Sequence, residues 1–65
     1  MEKAKLKLVA ALESLAEILV KHAESAKEAK TREDLYTELD IVISLLQRVA
    51  EELEKFRREE LEKHT

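Results

Sequence analysis

The stretch Thr31-Arg32-Glu33-Asp34 separates two series of apolar residues that repeat with the period of an α-helix. Within each series the residues alternate steps of three and four positions, which places them on one face of a helix. The first series is Leu8, Leu12, Leu15, Leu19, His22, Ala26 and Ala29, and the second is Leu35, Leu39, Val42, Leu46, Val49, Leu53 and Phe56. The sequence therefore predicts two long helices that meet near residue 32.

If the chain folds back at residue 32, each member of the first series meets one member of the second at its own level. The outermost pair is Leu8 with Phe56, and the innermost is Ala29 with Leu35. One uninterrupted helix is the competing interpretation, but the six-residue step from Ala29 to Leu35 would rotate its apolar face by roughly 100°. The sequence thus favours an antiparallel hairpin, a single domain over residues 1–65 with helices at 3–30 and 32–62 and a turn at 31–32.

The charges near the two chain ends agree with this fold-back. A lysine-rich start would lie beside an acid-rich end, with Lys5 level with Glu60. Exposed pairs of this kind contribute only ~0 to 1 kcal/mol each. They therefore indicate the direction of pairing more than they stabilise it.

Thr31 is suited to begin the second helix, because a threonine N-cap accepts a hydrogen bond from a backbone N–H of the first turn. Asp34 follows three residues later and resembles the acidic member of a capping box, with aspartate in place of glutamate or glutamine. The stretch lacks glycine, the residue that most often ends a helix. We therefore expect a tight connection that is held by packing. A rival cap at Ser25, with Glu28 in the box position, would spoil the matching of levels.

The composition excludes several classes of function. The 65 residues include no Gly, Pro, Cys or Trp, and charged residues make up 42% of the chain with a net charge of −3. Without cysteine there is no disulfide or thiol chemistry, and without glycine there is no phosphate-binding loop. No histidine, serine and carboxylate share a helix face at a catalytic spacing. We expect no enzymatic activity, no catalytic residue, no cofactor and no metal.

The hydropathy of the chain bears on its location. The longest uncharged run, residues 41–47, is too short to span a bilayer. The N-terminus also lacks a signal-peptide pattern. We therefore expect a cytoplasmic protein without a membrane partner.

A hairpin of this length buries one seam between its helices, which rarely stabilises a domain of this size. Further apolar residues flank the seam midway along both helices, namely Ile18, Val20, Ile41, Ile43 and Leu45. Exposed on a monomer they would favour aggregation, so we interpret them as an oligomer interface. The sequence predicts an all-α antiparallel two-helix hairpin that associates with itself, as a homodimeric four-helix bundle or a higher oligomer.

His22 is the polar member of the first series. An imidazole at a core-facing position can bind a metal or act as a pH switch, but no second ligand lies one turn away on its own helix. The alternative is a partly buried imidazole that is satisfied by Ser25, Asp40 or water and helps to fix the register of the helices. We favour this second interpretation.

The predicted layout resembles that of the Rop family of plasmid RNA-binding hairpins, which dimerise into four-helix bundles. The resemblance covers length and layout and no motif, so no site residue is carried over. It implies RNA binding as an alternative function, for which the best nucleic-acid patch is Lys27, Lys30 and Arg32 at the turn. The negative net charge opposes this alternative, because phosphate binding depends on clustered Lys and Arg.

Two further alternatives stay open at the level of sequence. The predicted interface residues Ile18, Val20, Ile41, Ile43 and Leu45 could instead bind a helix of another protein, which would make the chain an adaptor. Regular seams and Glu/Lys-rich surfaces are typical of designed bundles, whereas the glycine-free turn and residues such as His22, Thr37 and Ser44 are not. The sequence therefore leaves both a designed and a natural origin open.

Overall fold

The computed structural model describes residues 2–62, which form two helices joined by a short connection. Helix α1 spans Glu2–Lys27 and helix α2 spans Arg32–Phe56, after which Arg57–Glu62 continues as a π-helical segment. This confirms the all-α, two-helix prediction. The first helix ends three residues before its predicted end at residue 30. The predicted domain limits, residues 1 and 65, lie outside the described residues.

The two helices lie side by side in one antiparallel layer. A contact near the turn joins His22 to Glu38, and a contact near the chain ends joins Lys7 to Glu60. The sequence had placed Lys5 level with Glu60, so the observed pairing differs by two residues. The Cα extents are 50 × 17 × 8 Å, and the smallest of these shows that no other part of residues 2–62 covers either face of the layer.

The chain reverses without glycine because α1 tightens at its end. The backbone N–H groups of Glu28 and Ala29 donate to the carbonyls of Ser25 and Ala26, each at 3.1 Å. These i to i−3 bonds satisfy carbonyls that an α-helix leaves unpaired at its C-terminus. No residue within 2–62 has a positive φ, so the turn does not use the left-handed cap for which glycine is usually required.

Thr31 is the N-cap of α2, as the sequence predicts. Its backbone is extended, with φ −131° and ψ 161°, and its Oγ1 accepts a hydrogen bond from Asp34 N at 3.0 Å. Asp34 Oδ2 in turn accepts from the backbone N–H of Lys30 at 3.4 Å, one residue before the position that a capping box would use. The cap therefore stabilises both the start of α2 and the end of the connection.

The seam between the helices differs from the predicted matching of levels. Among the predicted members of α2, Leu35, Leu39 and Leu46 stay 50%, 54% and 45% exposed. The partly buried residues of α2 and the π-helical segment are Glu38, Val42, Leu45, Val49, Leu53, Phe56 and Glu60, and those of α1 and the connection are Ala4, Leu8, Leu15, His22, Ala26 and Ala29. Two helices in one layer meet along a narrow line, so one side of a broad apolar stripe faces the neighbour and the other side stays open.

No side chain within residues 2–62 is fully buried. Even the residues of the seam are only partly covered, because each helix has a single neighbour. A layer of this kind has no hydrophobic core of its own. Its apolar side chains need a second layer to be removed from water.

Candidate interaction surface

One side of the hairpin is apolar across both helices. A groove over the turn-proximal half is lined by side chains of both helices, and its apolar members are Leu19, Ala23, Ala26, Leu35, Leu39 and Val42. Leu12 precedes Leu19 by seven residues and Leu46 follows Leu39 by seven, so by helical phase each continues the same helix face. Leu12 also borders the depression around Ile18 on the opposite side. We call Leu12, Leu19, Ala23, Ala26, Leu35, Leu39 and Leu46 the open apolar face.

The open apolar face follows from two heptad series on each helix. In α1, one heptad series consists of Leu8, Leu15 and His22, which are partly buried against α2. The other contains Leu12 and Leu19, which are more exposed and lie to one side. The same division holds in α2. Stripes of this width are typical of helices that pack on more than one neighbour. The leucines of this face are between 36% and 54% exposed.

The opposite side of the hairpin carries more charged residues but is not uniformly polar. One depression on it is lined mainly by apolar side chains, namely Ala11, Leu12, Leu15, Ile18, Val49 and Leu53. Another depression, near the middle of this side, is lined by Asp40, Ile41, Ser44, Leu45 and Arg48, together with His22. Towards the chain ends the lining includes many charged residues, namely Lys7, Glu52, Lys55, Glu59 and Glu60. We call this side the polar face. These charged side chains are already exposed to water or paired within the hairpin, as Lys7 is with Glu60, so this side does not require a second layer.

The predicted interface residues do not share one surface. Ile41 and Leu45 line the same depression on the polar face, and Ile18 lines the adjoining one with Ser14, Arg48 and Glu52. Val20 instead lies on the outer surface of α1 beside Glu17, Lys21 and Glu24. Ile43 is 44% exposed and lies 200° around the helix from Ile41 by helical phase. Their role as an interface stays a prediction.

Sequence reasoning missed the open apolar face because it assigned those leucines to the seam. An alternation of three and four residues fits either edge of a broad stripe, so the pattern does not reveal which edge meets the neighbouring helix. A signal was nevertheless present. Glu38, Val42, Leu45 and Val49 are also spaced by four and three, which makes them a second candidate for the inner series of α2.

His22 and Glu38 form a polar pair in the seam. His22 Nδ1 lies 2.6 Å from Glu38 Oε2, and the two side chains are 26% and 19% exposed. Ser25, Asp40 and water were the predicted partners of His22, and Glu38 was not among them. Both residues line the groove of the open apolar face. Within residues 2–62, no group of three or more His, Cys, Asp or Glu side chains is arranged to hold a metal ion.

The predicted nucleic-acid patch lies at the turn. Lys27 is the last residue of α1, Lys30 belongs to the connection and Arg32 begins α2. Acidic residues are interspersed with these cations, and Asp34 is hydrogen-bonded to the backbone of Lys30. Binding of RNA at this patch stays a prediction.

No protein-family model, curated protein sequence or solved structure matches this chain. Neither helix described by the structure has the length and apolarity that a membrane crossing requires. The open apolar face and the His22–Glu38 pair are therefore the features from which a function can be inferred.

Proposed function

We propose that the chain is a non-enzymatic, self-associating helical hairpin. Its open apolar face packs on the same face of a second copy, and the product is a homodimeric four-helix bundle. The observation that carries the proposal is the exposure of Leu35, Leu39 and Leu46, each about half accessible, on a chain whose residues 2–62 include no fully buried side chain.

The free energy of burial is of the size that a dimer needs. The open apolar face carries five leucines. Completing the burial of a half-exposed leucine gains about 1 kcal/mol, so ten leucines across two copies contribute on the order of 10 kcal/mol. Association costs about 4–15 kcal/mol, which is comparable. The dimer is therefore concentration-dependent, and folding of the hairpin is coupled to it.

A second copy fits the face in size and shape. The outline of the layer, 50 × 17 Å, corresponds to about 850 Å² on one side, and the open apolar face occupies its turn-proximal and middle parts. Stable protein interfaces bury roughly 800 Å² per partner. Two flat faces of equal width can pair about a twofold axis, which is the commonest symmetry of homo-oligomers. The open apolar face is thus self-complementary in apolar character, and an interface of standard size would also bury the rest of that side of the hairpin.

The polar face favours closure of the assembly at two layers. Arg48, Glu52 and Lys55 would remain in water on the outside of the bundle. Ile18, Ile41 and Leu45 interrupt this face with a smaller apolar cluster, on which a higher oligomer would have to be built. We place the principal interface on the open apolar face because Asp40, Arg48 and Glu52 line the same depressions as the apolar residues of the polar face.

Sedimentation equilibrium from low to high micromolar concentration tests the proposal. We expect a dimer that dissociates on dilution, with a melting temperature that rises with concentration. Leu39→Glu should give a monomer of reduced helicity, because it places a charge in the desolvated interface. Leu6→Glu is the matched control, since Leu6 is 66% exposed and lies outside the face. A wild-type monomer at high micromolar concentration would contradict the proposal and leave the face for a helix of another protein.

A further inference from the structure

We infer that the His22–Glu38 pair determines the register in which a second copy packs on the open apolar face. The pair acts as a specificity determinant and not as a source of stability. The inference rests on the proposed self-association and adds the residues that select one arrangement of the dimer.

The pair is the polar feature of an otherwise apolar groove. The 2.6 Å contact holds the two side chains at the base of the groove, where Leu19, Leu35 and Leu39 are among their neighbours. The His22 and Glu38 side chains are 26% and 19% exposed, compared with 57% and 26% for Lys7 and Glu60. A second layer on the open apolar face would therefore remove further water from a pair that is already mostly covered, although His22 also borders the depression on the polar face.

The leucines alone do not specify a register. Leu12 and Leu19 are seven residues apart, as are Leu39 and Leu46. A second copy shifted by one heptad would meet leucine where it had met leucine before, so its apolar contacts would be similar. Neither His22 nor Glu38 recurs at that spacing. The pair is thus the feature of the groove that distinguishes one register from the next.

Hydrogen bonding explains how the pair selects a register. Nδ1 of His22 and Oε2 of Glu38 contact each other, whereas His22 Nε2 and Glu38 Oε1 also need water or a polar group when a second layer covers the groove. A register that presses leucine onto these atoms leaves them unsatisfied, which is costly. A buried polar group that fixes the register of packed helices at the expense of stability is a known device.

Spin-label distances test the inference directly. The chain has no cysteine, so Glu13→Cys on an exposed position of α1 gives a single labelling site. A shift of one heptad moves that site by about 10 Å along the helix, which pulsed electron resonance resolves between two copies. We expect one distance for the labelled parent protein. With His22→Leu and Glu38→Leu together, we expect at least two distances and a higher melting temperature.

Two further variants separate specificity from added apolar bulk. His22→Ala with Glu38→Ala removes the pair without adding large side chains and should also give several distances. Glu38→Gln keeps an acceptor for His22 and should retain the single distance. A single parent-like distance in both the leucine and the alanine pair overturns the inference. A labelled parent that is monomeric overturns the proposed function instead, so the two failures are distinguishable.

Discussion

The open apolar face and the polar face are built from the same two helices, yet they make opposite demands on their surroundings. The first exposes leucines at heptad spacing, whereas the second carries Arg48, Glu52 and Lys55 around a small apolar cluster. The difference arises because each helix has more apolar positions than one neighbour can cover. Excess apolar width on one side of this two-helix layer is the reason why we propose that a further layer packs there.

The largest expected difference in stability is between two variants that place the same charge on opposite faces. Leu46→Glu puts a carboxylate on the open apolar face and should destabilise the dimer by about 3 kcal/mol or more. Ser44→Glu puts it on the polar face, four residues before Arg48, and should change stability by less than about 0.5 kcal/mol. Urea denaturation at fixed protein concentration measures both. Equal effects of the two substitutions would show that the faces do not differ as described.

A smaller loss of stability is expected from substitutions of Thr31, the N-cap residue between the two helices. Thr31→Ala removes the acceptor of the Asp34 N–H bond and should cost about 1 kcal/mol of stability. Thr31→Ser keeps the hydroxyl acceptor and should therefore retain most of that stability. Thermal melting of the two variants, at the same concentration as the wild type, gives the comparison. If alanine and serine behave alike, the cap does not contribute to the alignment of the faces.

The smallest expected effect on the dimer dissociation constant comes from a substitution of Ile41, which distinguishes the open apolar face from the interface predicted from sequence. Ile41 belongs to the interface predicted from sequence, is 47% exposed and lies on the polar face. Ile41→Ser should leave the dimer dissociation constant within about twofold and stability within roughly 0.5 kcal/mol. Light scattering over a dilution series provides the measurement. Dissociation of the oligomer by this substitution would assign the interface to Ile18, Ile41 and Leu45 and not to the open apolar face.

The helices and the turn could be predicted from sequence because their causes are local. Periodic apolar residues, the Thr31 cap and the six-residue step between the two series are all properties of short segments. The hydrogen bond from Asp34 N to Thr31 Oγ1 confirms the predicted start of α2. Local rules of this kind hold regardless of how the helices pack.

The packing of the helices could not be predicted in the same way. Whether Leu46 or Leu45 turns towards α1 depends on a rotation of α2 that both residues tolerate, since each lies on the apolar stripe. Glu38 was overlooked for a different reason. Carboxylates seldom occupy a seam between helices unless they are paired. Its pairing with His22 became visible only when the two helices were placed side by side.

The glycine-free turn has a consequence for the variation that this chain can accept. Because residues 28–31 all have negative φ, the connection demands no particular residue type from its backbone. The exposed side chains of Glu28 and Lys30 are therefore free to change in charge and size while the reversal persists. The turn end of the hairpin is thus a surface on which new binding properties could be selected or engineered without disturbing the fold.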